Sequence, residues 1–194
     1  MEVRLGKTLD AEKVRVLRPD AVVVATGSEP AIPDIPGLDG PNVLVAQELL
    51  ACRMRCTGQR FAVIGGGMLG LETAAYLAPQ RNAVTVLKRY ETIGRDIEPL
   101  YRDYLSRDLE EQGVKIMSDE EVEAILAEGV LVRDDAGEER TVHVDRVVLA
   151  RGAKPSNELA HALRELDPIV VGDAVQPRRI INAIEEAYMA AKGI

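Results

Sequence analysis

Residues 61–72 read Phe-Ala-Val-Ile-Gly-Gly-Gly-Met-Leu-Gly-Leu-Glu: an apolar run, then glycines, then a restart with helical spacing. This segment restricts the fold more than any other in the chain. Gly65, Gly67 and Gly70 fill the three glycine places of G-x-G-x-x-G, which serve a tight turn, a close backbone approach to a pyrophosphate and close packing of helix on strand. The first N–H groups of the helix would then face an anion, an arrangement the helix dipole favours.

The context carries the reading, because glycines also mark ordinary turns. Residues 61–64 suit a strand buried on both faces, Leu71, Ala74, Ala75, Leu77 and Ala78 supply helical spacing with small side chains, and Val84 to Leu87 forms a second strand. That is one βαβ unit in about 30 residues, the expected size. Gly65, Gly66, Gly67, Met68, Leu69 and Gly70 are therefore the candidate pyrophosphate contacts. A carboxylate at the end of the second strand would accept hydrogen bonds from the ribose 2′-OH, but the chain has Lys88 and Arg89 there. A cationic pair neutralises a 2′-phosphate instead, so NADPH is favoured over NADH, with Glu91 as a nearby counter-signal.

The bulk properties narrow the class. At 194 residues and 46% apolar composition the chain can bury one sizeable core or two small ones. A net charge of −8 argues against nucleic acid or an anionic membrane surface as partner. No stretch approaches the roughly 20 apolar residues that span a bilayer, and the first residues lack the apolar region of a secretory signal, so a cytoplasmic location is expected. Cys52 and Cys56 sit four apart in a segment with helical spacing, which suits small, at least partly buried hydrophobes on one face and suits a redox pair or metal site poorly. His143 and His161 lack partners and read as surface residues.

Two further segments echo one another. Ala21 to Pro30 and Val147 to Pro155 each run from an apolar strand into Ala-x-Gly, at Gly27 and Gly152, with a proline three residues later. Each has the look of the last core strand of a nucleotide-binding unit, where the chain crosses to another domain. Near the C-terminus Pro168 to Asp173 is a short apolar strand ending in Gly172-Asp173, before an amphipathic helix over 180–191. Asp173 can accept hydrogen bonds from a polyol or cap a helix. Leu5 to Leu17 reads as a β-hairpin, Leu100 to Gln112 as a charged helix, Gly113 to Met117 as a strand, and 119–140 as a β-meander with a solvated acidic face.

Together, Gly-Gly-Gly-x-x-Gly-x-Glu at 65–72, Ala-Thr-Gly at 25–27 and Val-Gly-Asp at 171–173 resemble the flavoproteins with two dinucleotide-binding domains. The tail from Val171 to Tyr188 resembles more narrowly the C-terminal region of the NADH:flavin oxidoreductases related to 2,4-dienoyl-CoA reductase, trimethylamine dehydrogenase and histamine dehydrogenase. The resemblance implies an α/β fold: a Rossmann-like NAD(P)-binding domain over 43–154, with parallel sheet, helices on its faces and a β-meander, inserted in a partial FAD-binding-type domain of residues 1–42 and 155–194. It implies that Gly65, Gly67 and Gly70 cradle the NAD(P) pyrophosphate and that Glu72 lies towards the nicotinamide. It further implies that Gly27 lies near the flavin nucleotide and that Asp173 binds the ribityl and diphosphate region of FAD.

The first glycine fingerprint of that family, which grips the ADP half of FAD, has no counterpart in residues 1–20. The chain is therefore expected to be a fragment, with weak FAD affinity and no activity by itself. An N-terminal barrel carrying FMN and an iron–sulfur cluster would precede it in the parent. By this reading the parent is a flavin-dependent oxidoreductase in which NAD(P)H passes hydride to FAD and electrons continue to FMN. The alternative is a non-catalytic module that holds ADP as a structural ligand, as in an amine-dehydrogenase-like flavoprotein.

Overall fold

The structure, a computed structural model, describes residues 2–194. The chain forms two compact units, one made of the residues up to Glu29 with Ala153–Ile194, the other of Pro30–Gly152. In chain order the first flank carries α1 (Ala11–Leu17), β1 (Val23–Val24) and β2 (Ser28–Pro30). The middle stretch carries β3 (Val43–Val45), α2 (Ala46–Ala51), β4 (Arg60–Ile64), α3 (Met68–Leu77), β5 (Ala83–Leu87), α4 (Pro99–Glu111), β6 (Lys115–Met117), β7 (Glu121–Leu126), β8 (Gly129–Arg133), β9 (Glu139–His143) and β10 (Arg146–Leu149). The last flank carries β11 (Ala153–Pro155), α5 (Glu158–Ala162), β12 (Ile169–Val170) and α6 (Ile180–Gly193).

In the inserted unit five strands form a parallel sheet in the order β3-β10-β4-β5-β6, and β7-β8-β9 form an antiparallel meander. Why the run Phe-Ala-Val-Ile is apolar at every position follows from the period of two. Phe61 and Val63 face Leu49 of α2, Leu71, Ala74 and Leu77 of α3, and Leu105 and Leu109 of α4. Ala62 and Ile64 face the opposite way, onto Ile125, Val130 and Val132 of the meander. Phe61, Ala62, Val63 and Ile64 are all buried, and removing a side chain such as Phe61 or Val63 from water contributes roughly 1.5–3 kcal/mol each. Helix α4 starts where Glu98 accepts from the Leu100 and Tyr101 N–H groups at 3.0 and 3.1 Å, with Pro99 at the first helical position.

Residues 30–42 lie with this unit, although the sequence boundary was drawn at residue 43. Ile35 and Leu38 pack on the meander-side core, and the Ile125 N–H donates to Pro36 O at 2.8 Å. Helix α2 is shorter than the sequence suggests: it stops at Ala51, and Arg53 turns into the left-handed region at φ 47°. Cys52 is consequently exposed at the cap and Cys56 lies half-buried in the loop beyond it, so the two thiols do not share a helical face.

The flanking unit is small. β1 pairs in parallel with β12, β2 pairs with β11, and Val24, Leu163, Val171 and Ala174 are its most buried side chains. The stretch expected to be a hairpin is helical over its second half, because Asp10 caps α1 by accepting from the Lys13 N–H at 2.9 Å and Arg18 closes it in the left-handed region. Arg15 of α1 holds Glu165 and the carbonyl of Ala162 at 2.6 and 2.7 Å. Helix α6 leaves Ile180, Ile181, Ile184, Tyr188 and Met189 exposed along its length. Among the described residues no helix is long and apolar enough to cross a membrane, and no group of His, Cys, Asp and Glu is placed to hold a metal ion.

Candidate nucleotide-binding site

Strand β4 ends at Ile64 and the chain turns through Gly65, at φ 132°, into α3, whose cap is Gly67. A Cβ on Gly65 would lie 2.2 Å from the carbonyl oxygen of Ala150, and one on Gly70 would lie 1.9 Å from that of Gly65. Both distances are far below contact, so these two glycines are demanded by packing of helix and neighbouring strand on the turn. At Gly67 the added carbon would sit 3.2 Å from the Asp96 carboxylate, and at Gly66 it would meet Lys88 at 2.9 Å. Gly65, Gly66 and Gly67 line a cavity of about 380 Å³ together with Lys88, Arg95 and Asp96.

Asp96 is the residue sequence reasoning missed. Both of its carboxylate oxygens accept from the Met68 N–H at 3.1 Å, which puts an anion at the first free donor of α3. The segment that carries it is tied down where the Gly94 N–H donates to Gly66 O at 2.7 Å. Met68 thus contributes its backbone, while its side chain is 42% exposed and Leu69 packs against the helical core. Glu72 lies in the second turn of α3, half-buried, and accepts from the Tyr101 hydroxyl at 3.4 Å. Burial, then the Glu72 charge, pushes the Tyr101 phenol above its ordinary range.

The expected cationic pair separates. Lys88 is 5% exposed, and its ammonium folds back to donate to the carbonyls of Tyr90 and Glu91. Burial pulls it below the usual lysine range, against the attraction of Asp119 and Glu91. It braces the loop rather than presenting its charge outward. Arg89 remains exposed, 3.4 Å from Glu121, and Arg95 lies over the Tyr90 ring at 4.6 Å with no ion pair among the described residues. Neither Tyr90 nor Arg95 follows any spacing rule, so only folding identifies them.

One acidic residue departs from the solvated face expected for 119–140. Glu120 is 6% exposed, one carboxylate oxygen pairs with Arg140 and the other has no partner. Burial, partly offset by Arg140, pushes its carboxyl above the usual range. Its neighbours fit the expectation, and His143 and His161 are exposed.

In the flanking unit Gly27 holds φ 77° with open space where a Cβ would be, and Gly172 holds φ 66° at the turn before α6. Asp173 is half-buried; it accepts from the Ser28 hydroxyl and from the Arg178 N–H, both at 3.3 Å. The Gly172 N–H donates to Glu186 at 2.8 Å, and Arg178 pairs with the same carboxylate. Arg178 first, and then that N–H, hold Glu186 below the usual carboxylate range. Gly152, in the inserted unit, keeps φ 84° and its carbonyl accepts from the Ala31 N–H and the Gln47 amide at 3.1 and 2.8 Å. Each unit therefore answers its glycine-turn donor with a carboxylate of its own.

A glycine turn between strand and helix in a parallel sheet, with a meander behind it, defines an α/β nucleotide-binding fold. The model of the pyridine nucleotide-disulphide oxidoreductase family matches residues 2–186, and the chain belongs to that family. It is 36% identical over 197 residues to an NADH oxidase of Thermoanaerobacter brockii, covering 98% of this chain and 30% of that protein. The solved structure of a 2-naphthoyl-CoA reductase complex superimposes with a TM-score of 0.84 at 29% identity over 95% of this chain and 28% of its own. Histamine dehydrogenase from Rhizobium sp. 4-9 shares the fold, with a TM-score of 0.82 at 20% identity over 97% of this chain and 32% of its own. The chain thus spans about 30% of the length of the first curated relatives it matches.

Proposed function

We propose that this chain is the nucleotide-binding portion of a flavin-dependent oxidoreductase of the NADH:flavin oxidoreductase type. In this reading the inserted unit, Pro30–Gly152, binds NAD(P)H, and the flanks, up to Glu29 and from Ala153 on, form part of an FAD domain. Hydride passes from nicotinamide to FAD, and electrons continue to FMN in an N-terminal barrel that also carries an iron–sulfur cluster. The observation that carries the reading is the Asp96 carboxylate on the Met68 N–H: the first donor of α3 already holds an anion, at the edge of the cavity that Gly65, Gly66 and Gly67 line.

The residues fit the cofactor's chemistry. Gly65, Gly66, Gly67 and the backbone of Met68, Leu69 and Gly70 would hold the pyrophosphate, with Glu72 further along the helix. Arg89 and Arg95, flanking Tyr90, would meet a 2′-phosphate, which supports NADPH over NADH with Lys88 as the brace behind them. The relative named an NADH oxidase pulls the other way, so the preference rests on these side chains alone. In the flank Gly27, Gly172 and Asp173 would contribute to FAD, and Gly152 would stand near the crossing into that unit. Their donor at Gly172 is already engaged by Glu186, which supports weak FAD binding by the chain alone.

Calorimetric titration with NADPH, NADH, ADP and FAD tests the reading. NADPH should bind most tightly and FAD weakly. Binding of ADP with no further gain from the nicotinamide half would replace it with the non-catalytic module.

A further inference from the structure

We propose that the cleft at the opposite end of the parallel sheet from the glycine turn is a binding site for a small polyanion carrying adjacent phosphates. The place is fixed by backbone pairing where β4 and β5 begin: the Gly58 N–H donates to Arg81 O at 3.2 Å and the Ala83 N–H to Gln59 O at 2.9 Å. The glycine turn lies where β4 ends, five strand residues or roughly 17 Å away. The cleft has a volume of about 620 Å³, within the range of small-molecule sites.

Its charge is what singles it out. Arg53, Arg55 and Arg81 line it with Thr57, Tyr76 and Gln80, and no carboxylate does. The chain has 32 Asp and Glu against 24 Lys and Arg, so acidic partners are plentiful, yet among the described residues none of these three guanidiniums makes an ion pair. Three planar forks around one space match phosphate oxygens bidentately.

The frame is also preorganised. The Tyr76 hydroxyl donates to Met54 O at 3.2 Å, the Cys56 N–H to Gln80 Oε1 at 3.1 Å, the Asn82 amide to Cys56 O at 2.8 Å, and the Gln59 N–H to Asn82 Oδ1 at 3.1 Å. The loop that carries Arg53 and Arg55 is thereby held before any ligand arrives, which removes much of the ordering cost of binding. One feature opposes an anion: the C-terminal end of α3, with its partial negative charge, is close by. Two of its terminal carbonyls are already engaged, Tyr76 O by the Gln80 amide at 2.8 Å and Leu77 O by the Asn82 amide at 2.9 Å.

The test is calorimetric titration of the purified protein with pyrophosphate, orthophosphate and citrate, with and without saturating NADPH. Pyrophosphate should bind more tightly than either of the others and should continue to bind with NADPH present. The combined substitution Arg53→Ser, Arg55→Ser and Arg81→Ser should weaken pyrophosphate by about tenfold or more, from the loss of charged hydrogen bonds, and leave NADPH affinity unchanged. Should the triple variant fail to fold, Arg55→Ser alone, at an exposed loop position, should still weaken pyrophosphate several-fold. Equal pyrophosphate affinity in wild type and variant overturns the site, and citrate binding as tightly as pyrophosphate overturns the phosphate assignment. Because the pyrophosphate arm needs no nicotinamide, failure of the nucleotide reading leaves it intact.

Discussion

Asp96→Asn is the sharpest perturbation the site offers, because it should move stability and affinity in opposite directions. The carboxylate accepts from the Met68 N–H at 3.1 Å through both oxygens and stands where a diphosphate would bind. Losing a negative charge at a helix N-terminus costs about 0.3–1 kcal/mol of stability, while the amide oxygen keeps a weaker hydrogen bond. A displaced carboxylate about 6 Å from a phosphate charge opposes it by roughly 0.7 kcal/mol in water and more where the cavity excludes solvent. Adding competition for the Met68 donor, worth about 0.5–1.5 kcal/mol, the variant should bind NADPH some 5- to 30-fold more tightly, by about 1–2 kcal/mol. Thermal unfolding reads the first effect and fluorescence or calorimetric titration the second, and the affinity gain should shrink as salt is added. Unchanged or weaker NADPH binding in Asp96→Asn would refute the idea that this carboxylate holds the phosphate position.

Gly70→Ala should destabilise the protein by about 1–3 kcal/mol or prevent folding, since its new carbon would lie 1.9 Å from Gly65 O; thermal unfolding measures it. Arg95→Ala should cut NADPH affinity about tenfold, from the loss of a charged contact, and spare NADH, whereas Lys88→Met should chiefly lower the melting temperature; titration with both nucleotides separates these effects. Arg60 holds Asp145 at 2.6 Å and lowers its carboxyl from 3.8 to about 2. A depressed carboxylate stabilises the fold above its unfolded value and loses that contribution as pH falls through the window from 3.8 to about 2, so Asp145→Asn should flatten the acid limb of the stability curve across that window.

The sheet and its helices were largely legible because their signal is local. Phe-Ala-Val-Ile needs burial on both faces, and the 119–140 stretch needs a meander because its alternation is that of strands rather than helices. Leu5 to Leu17 misled because a few alternating apolar residues resemble a hairpin, while Asp10 as a cap and the left-handed Arg18 decide for a helix. The Cys52–Cys56 segment misled for the converse reason, since helical spacing continues past the point where Arg53 breaks the backbone.

The sequence by itself determined the glycine turn, because a bare backbone is needed wherever a strand, a helix and a neighbouring carbonyl come within contact of one another. Tertiary structure alone decided the charges around it. A lysine at a strand end and an aspartate in the following loop carry no spacing signal, and their positions depend on which carbonyls and N–H groups the fold leaves unpaired. That is why Lys88 turned inward to brace the loop, why Arg95 stayed free beside Tyr90, and why Asp96 came to rest on the first donor of α3.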